Sequence, residues 1–143
     1  TASPKVHVIG RKRGADVLRP LSPEHPDDET FEGLLIVRPE GRLFFLNAQS
    51  VAEKIGALRT QYQPRVLVLD MSRVPDIEYS ALQMLIEGDK IATQNHETFW
   101  LAGLNPTALE VVRNSVLDEQ LGSERMLPNA RVAIERYQAM QAK

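Results

Sequence analysis

From Leu34 to Tyr137 the apolar residues fall into two kinds of block, short continuous runs and longer stretches in which they recur every three or four positions. The runs read as strands and the periodic stretches as helices. Leu34 to Val37, the turn residues PEGR and a second run from Leu43 to Leu46 predict an antiparallel hairpin. Asn47 is placed to cap a helix whose stripe is Val51, Ile55, Leu58 and Tyr62, ended by Pro64. Arg65 to Asp70 contains VLVL, apolar on both faces as a central parallel strand is. The loop MSRVPDIEY leads to a second helix capped by Ser80, with Leu82, Leu85, Ile86 and Ala92 on its buried side and Asn95 and His96 at its end. Phe99 to Leu101 form the next buried strand. Asn105 before Pro106 is a cap with proline at the first helical position, so a third helix runs from Pro106 to about Ser115. A short strand at Arg125 to Leu127 and a last helix capped by Asn129, carrying Val132, Ile134 and Tyr137, complete the series.

Residues 1–33 carry Pro4, Pro20, Pro23 and Pro26 and the acidic run Asp27, Asp28, Glu29, which excludes long helices there. Val6, Val8 and Ile9 suit one strand and Val17 and Leu18 another, with GRKRG as the turn between them. Strand and helix then alternate three times. That order implies right-handed crossovers and an α/β fold with a mixed, largely parallel sheet, antiparallel at its N-terminal strands. Helices are expected mainly on one side of it. The chain length is that of one ordinary domain, so residues 1–143 are read as a single unit: N-terminal strands and a proline-rich acidic loop to residue 33, then a βαβαβα core.

With 43% hydrophobic and 25% charged residues the composition is that of a globular protein. The net charge of −2 gives no long-range attraction to polyphosphate, and nucleic acid is not an expected partner. There is no cysteine, hence no thiolate nucleophile or disulfide frame. No apolar run approaches the roughly 20 residues that span a bilayer, so no direct membrane insertion is expected. The chain opens at Thr1 without an initiator methionine or a signal-peptide pattern, and reads as a piece of something longer.

Chemistry is sparse. Asp70 ends the central strand, at the edge where open α/β sheets bind ligands, and Ser72 and Asn105 share that edge. With Asp76 and Glu78 nearby, a magnesium-dependent phosphoryl acceptor comes to mind, but the paired acids and the lysine it needs are missing from the neighbouring runs. Asp70 bonding the amides of its own turn is the simpler reading. His7, His25 and His96 lie in separate segments without metal-ligand spacing. No GxSxG, GxxxxGK[ST] or GxGxxG occurs, so no catalytic residue, metal or cofactor is assigned. Two readings of Ser80 stay open: a cap for free backbone amides, or a phosphate acceptor beside the positive end of a helix dipole.

The segment VLVLDMSRVPDIEYSALQML resembles the STAS signature, a buried strand ending in aspartate and a loop leading to an acid, two hydroxyl residues and a helix. GLLIVRPEGRLFFLNAQSVAEKI is similar to the stretch of sulfate-permease STAS domains that ends in a phrase like "FFANA". KVHVIGR and FWLAGLNPTALEVVRNS match the opening and the third strand-to-helix passage of the same family. In the free anti-anti-sigma branch the loop reads aspartate, serine, serine or threonine, glycine, with the second hydroxyl phosphorylated. The matching residues here are Glu78, Tyr79, Ser80 and Ala81, and the bulky Tyr79 and the missing glycine depart from that pattern.

The resemblance implies a non-catalytic interaction domain on the cytoplasmic face of the inner membrane, part of a sulfate-permease-type anion transporter. Its implied partners are the transporter's own transmembrane domain, other cytoplasmic proteins or a second STAS domain. Asp76, Ile77, Glu78, Tyr79 and Ser80 would form an exposed interaction loop. Two alternatives remain: a free anti-sigma-factor antagonist switched at Ser80, and a nucleotide-binding domain.

Overall fold

The computed structural model describes residues 4–143, so residues 1–3 of the expected 1–143 unit lie outside the described residues. Six strands form one sheet in the order β2-β1-β3-β4-β5-β6. They are β1 (Lys5–Arg11), β2 (Leu18–Pro20), β3 (Leu34–Glu40), β4 (Val66–Asp70), β5 (Thr98–Ala102) and β6 (Met126–Leu127). The helices are α1 (Ala48–Tyr62), α2 (Tyr79–Gln94), α3 (Pro106–Arg113), α4 (Val116–Leu121) and α5 (Ala130–Gln141), with a 3-10 turn at Ser123–Arg125. β3, β4, β5 and β6 are parallel, while β1 runs antiparallel to both its neighbours, β2 and β3.

The connections decide which face each helix covers. From β3 to β6 each strand is laid beside its predecessor in one direction, so right-handed crossovers put α1 to α4 on a single face. Leu35, Val37, Leu67, Leu69, Phe99 and Leu101 point into that layer. α5 follows the last strand, is not a crossover, and packs on the opposite face through Ala130, Ala133, Ile134 and Tyr137 against Ile36, Val68 and Trp100. Burial of β4 on both faces explains its unbroken VLVL, because alternation is lost when neither side meets water. Arg65 donates to the Tyr137 hydroxyl at 2.8 Å, and that hydroxyl donates to the Glu32 carbonyl, tying α5 to the start of β3. Gly33 sits at φ +82 under this pair, where a Cβ would run into the Tyr137 hydroxyl and the Arg65 guanidinium.

Several expectations are corrected. Leu43 to Leu46 is not a strand, and the hairpin with Leu34 to Val37 does not form, because β3 takes β1 as its antiparallel partner. Gly41 (φ +98) turns the chain out of the sheet, Leu43 makes one parallel bridge to Ile77, and Phe44 to Asn47 close a tight turn. Asn47 occupies the cap position of α1, but its Oδ1 accepts from the amide of Phe44, behind the helix. Ser80 caps nothing: α2 begins at Tyr79 with Glu78 before it in an extended conformation, and Ser80 lies inside the first turn. Tyr62 is 44% exposed and leaves the stripe of α1, and Val17 is exposed just ahead of β2. Leu85 is only half-buried, and the fully covered side of α2 is Ala81, Leu82, Ile86, Asp89 and Ala92. The third helix stops at Arg113, and Ser115 caps a separate α4 through its hydroxyl on the amide of Leu117. Six residues are too few to display a helical period, so α4 was not legible.

Candidate interaction site

The C-terminal ends of β3, β4 and β5 and the starts of α1, α2 and α3 share one edge of the molecule. Asp70, the last residue of β4, is 4% exposed, and its Oδ1 accepts from the amide of Ser72 at 3.0 Å. This Asx turn redirects the chain out of the sheet. Gly103 (φ +72) closes over it: a Cβ there would lie 3.1 Å from Asp70 Oδ1 and 3.3 Å from the Ser72 Cβ. Asn105 caps α3 by accepting from the amide of Ala108 at 2.8 Å and donates from Nδ2 to the carbonyl of Pro75 at 3.0 Å. The structure thus brings Asp70, Ser72 and Asn105 together, with Asp70 Oδ1 and both ends of the Asn105 amide bonded to backbone groups of adjoining loops.

Next to them two segments run side by side. The Leu43 amide donates to the Asp76 carbonyl at 3.1 Å and the Glu78 amide donates to the Leu43 carbonyl at 3.0 Å. Arg42 bridges Asp76 at 3.1 Å and Glu78 at 2.7 Å, and its guanidinium stands 5.2 Å from the centre of the Phe44 ring. Exposed pairs of this kind contribute at most about 1 kcal/mol each, so the backbone bonds and the buried Ile77 hold the register. The loop from Asp76 to Ser80 is therefore not exposed throughout. Ile77 is its anchor at 3% exposure, Asp76, Glu78 and Ser80 are half-buried, and Tyr79 stands out at 74%.

That register produces a feature the sequence reading missed. Phe45 and Leu46, 66% and 73% exposed, project from the turn before α1 beside the start of α2, where Tyr79 projects as well. Taken as a strand, FFL looked like core, and only the loss of the hairpin puts it outside. Arg42, Asp76 and Glu78, joined by their ion pairs, belong to the same two segments.

A family model described as the STAS domain matches residues 25–130. The chain belongs to the STAS domain family. High affinity sulfate transporter 2 of Stylosanthes hamata is 28% identical over 144 residues, which cover 94% of this chain and 22% of that protein. Sulfate transporter 3.2 of Arabidopsis thaliana is 28% identical over 133 residues, 86% of this chain and 20% of its own length. The chain spans about a fifth of the length of these curated relatives. Among solved structures, the murine Solute Carrier 26 family member A9 anion transporter in its inward-facing state has a TM-score of 0.83 at 16% identity, over 95% of this chain and 22% of that one. The SulP transporter STAS domain of Vibrio cholerae gives 0.67 at 19%, over 84% and 93%. The unphosphorylated anti-sigma factor antagonist SpoIIAA gives 0.63 at 16%, over 78% and 93%.

Two further polar groups of this STAS domain escaped sequence reading. Arg38 of β3, opposite His7 of β1, is 8% exposed and its Nε has no hydrogen-bond partner. Asp89 of α2, 3% exposed, accepts from Arg125 at 2.7 Å and from Gln120 at 3.0 Å, which clamps α2 to α4 and to the turn that follows it. Neither carried a sequence signal, since Arg38 interrupts no period and Asp89 looked like one more polar position on a helix. No helix among the described residues is long and apolar enough to cross a membrane, and no group of three or more histidines and carboxylates among them gathers as a metal site.

Proposed function

We propose that this STAS domain is the non-catalytic, cytoplasmic interaction module of a sulfate-permease-type anion transporter, and that residues 1–143 act as one unit. The observation that carries this is the edge itself. Phe45, Leu46 and Tyr79 are the three most exposed large apolar side chains among the described residues, and backbone pairing of Leu43 with Asp76 and Glu78 brings the two segments that carry them together at this edge. The relatives named as sulfate transporters support the transporter branch. The edge also receives the start of β1, because Lys5 pairs with Glu40 at the C-terminal end of β3. Lys5, the first residue of β1, therefore lies at the same edge, which suits docking on the transmembrane part of the same transporter.

The test replaces Phe45, Leu46 and Tyr79 by serine in the full-length polypeptide that carries the domain and measures anion uptake, with thermal melts of the isolated 143-residue chain as the folding control. Impaired uptake with an unchanged melt is expected. Unchanged uptake sinks the docking reading. A second reading, a free antagonist of an anti-sigma factor, has one observation in its favour: Ser80 lies half-exposed in the first turn of α2 with no capping bond. Stoichiometric phosphorylation of Ser80 by an anti-sigma kinase, followed by release of that kinase, would establish it.

A further inference from the structure

The helical layer is not closed between α1 and α2. A void of about 90 Å³ lies there, walled by Ala52 and Ile55 of α1 and by Met84 and Gly88 of α2, with Leu67 and Phe99 on its floor. The sequence leaves it open. A Cβ added at Gly88 meets nothing within 4 Å, so neither crowding nor a left-handed backbone calls for glycine there, and a mid-helix glycine weakens the helix relative to alanine. Only Ala48 and Val51 of α1 are fully buried, which leaves Ile55 half-covered above the gap.

One end of the void is polar. Arg59 lines it with a side chain only 16% exposed, and donates from Nε to Glu97 Oε2 at 2.8 Å. That bond is its only one among the described residues, so the Nη groups are left without a protein acceptor.

We propose that this slot binds a small amphiphilic anion, a short alkyl or aryl chain ending in a carboxylate, with the chain between α1 and α2 and the head on the Nη groups of Arg59. An apolar cavity of about 150 Å³ stays dry and accepts benzene. A void of about 90 Å³ therefore admits one short chain and excludes a sterol or a lipid-length acyl group. A carboxylate matches the guanidinium fork, which Glu97 occupies only on its Nε side. Glu97 also sets a limit, because a doubly charged head placed beside it meets stronger repulsion than a singly charged one. The slot runs within the helical layer from Leu43, Ala48 and Ala81, which lie under the docking edge, to Arg59 at its other end, and it stands whether or not that edge meets a transporter.

The test titrates the 143-residue chain with hexanoate and separately with hexanol, following the methyl signal of Met84 by NMR. Hexanoate should shift it saturably, and hexanol about tenfold more weakly, the worth of one charge-assisted bond pair. Arg59→Gln should bring hexanoate down to the level of hexanol. Gly88→Leu should fill the slot and abolish both responses, with Ala52→Ile as the second filling variant should the first not fold. A Met84 signal that hexanoate leaves unmoved at millimolar concentration overturns the proposal and makes the slot a packing void. Equal binding of hexanoate and hexanol, untouched by Arg59→Gln, overturns the anionic head.

Discussion

Removing Asp89 should weaken the hold on α2, the helix that presents Tyr79 and Ser80 at its start. Asp89 sits on that helix with 5% of its side chain exposed, and takes hydrogen bonds from Arg125 Nη1 at 2.7 Å and Gln120 Nε2 at 3.0 Å. In Asp89→Leu the Arg125 cation keeps only carbonyl partners, Gln120 O at 2.6 Å and Phe99 O at 3.3 Å, and the Gln120 amide loses one acceptor. Breaking a fully buried ion pair from one side costs about 3–5 kcal/mol. The Arg125 side chain is 24% exposed, so water screens part of that loss and about 2–3 kcal/mol remains. For a chain of this size roughly 3 °C of melting temperature goes with each kcal/mol, which gives a fall of about 6–9 °C. Urea unfolding followed by far-UV circular dichroism should show a lower midpoint at an unchanged slope. The double variant Asp89→Leu with Arg125→Met removes both charges and should recover at least about 1 kcal/mol of the loss. A single variant within about 0.5 kcal/mol of the parent protein, with no coupling in the cycle, would refute the reasoning and leave the clamp as an incidental contact.

Three other outcomes are expected. Ser80→Asp should melt within about 2 °C of the parent chain, because an acid in the first turn suits the helix dipole, while reducing anion uptake by the full-length polypeptide under the proposed function; unaltered uptake would leave Ser80 without a regulatory role. Hydrogen bonds from Arg19 at 2.7 and 2.8 Å hold the Asp28 carboxyl below its ordinary range, so its contribution is complete above the unfolded carboxylate value near pH 4 and is lost as pH falls through the lower folded value. Asp28→Asn should accordingly melt lower than the parent at pH 7 and approach it as the pH falls; a gap of constant size from pH 7 downward through the carboxylate range contradicts this. Arg38→Met should be neutral or stabilising, since it puts an apolar methyl about where the buried, unpartnered Nε stands, and a loss above about 1 kcal/mol would reveal a partner for Arg38.

Most elements and their limits were legible in the sequence, apart from the strand expected at Leu43 to Leu46 and the unread α4. VLVL, the Asn105-Pro106 start and the Asn129 cap are local signals that the rest of the chain left in place, whereas the caps expected from Asn47 and Ser80 gave way to contacts with other residues. Strand and helix in strict alternation carry the handedness of the crossovers with them, so the face taken by α1 and α2 followed as well. What a strand pairs with is not local. The run Leu43 to Leu46 looks as strand-like as Leu34 to Val37, and only the arrival of β1 beside β3 decides that it stays out of the sheet. Phe45 and Leu46 are exposed for that reason alone. In the same way Glu78 rather than Ser80 precedes α2, because pairing with Leu43 extends the chain as far as Glu78. Asp89 and Arg125 meet, and Arg38 goes without a partner for its Nε, through contacts made between residues far apart in the chain. Periodicity reports which side of an element is apolar, whereas the partner of a buried charge is fixed by packing between elements.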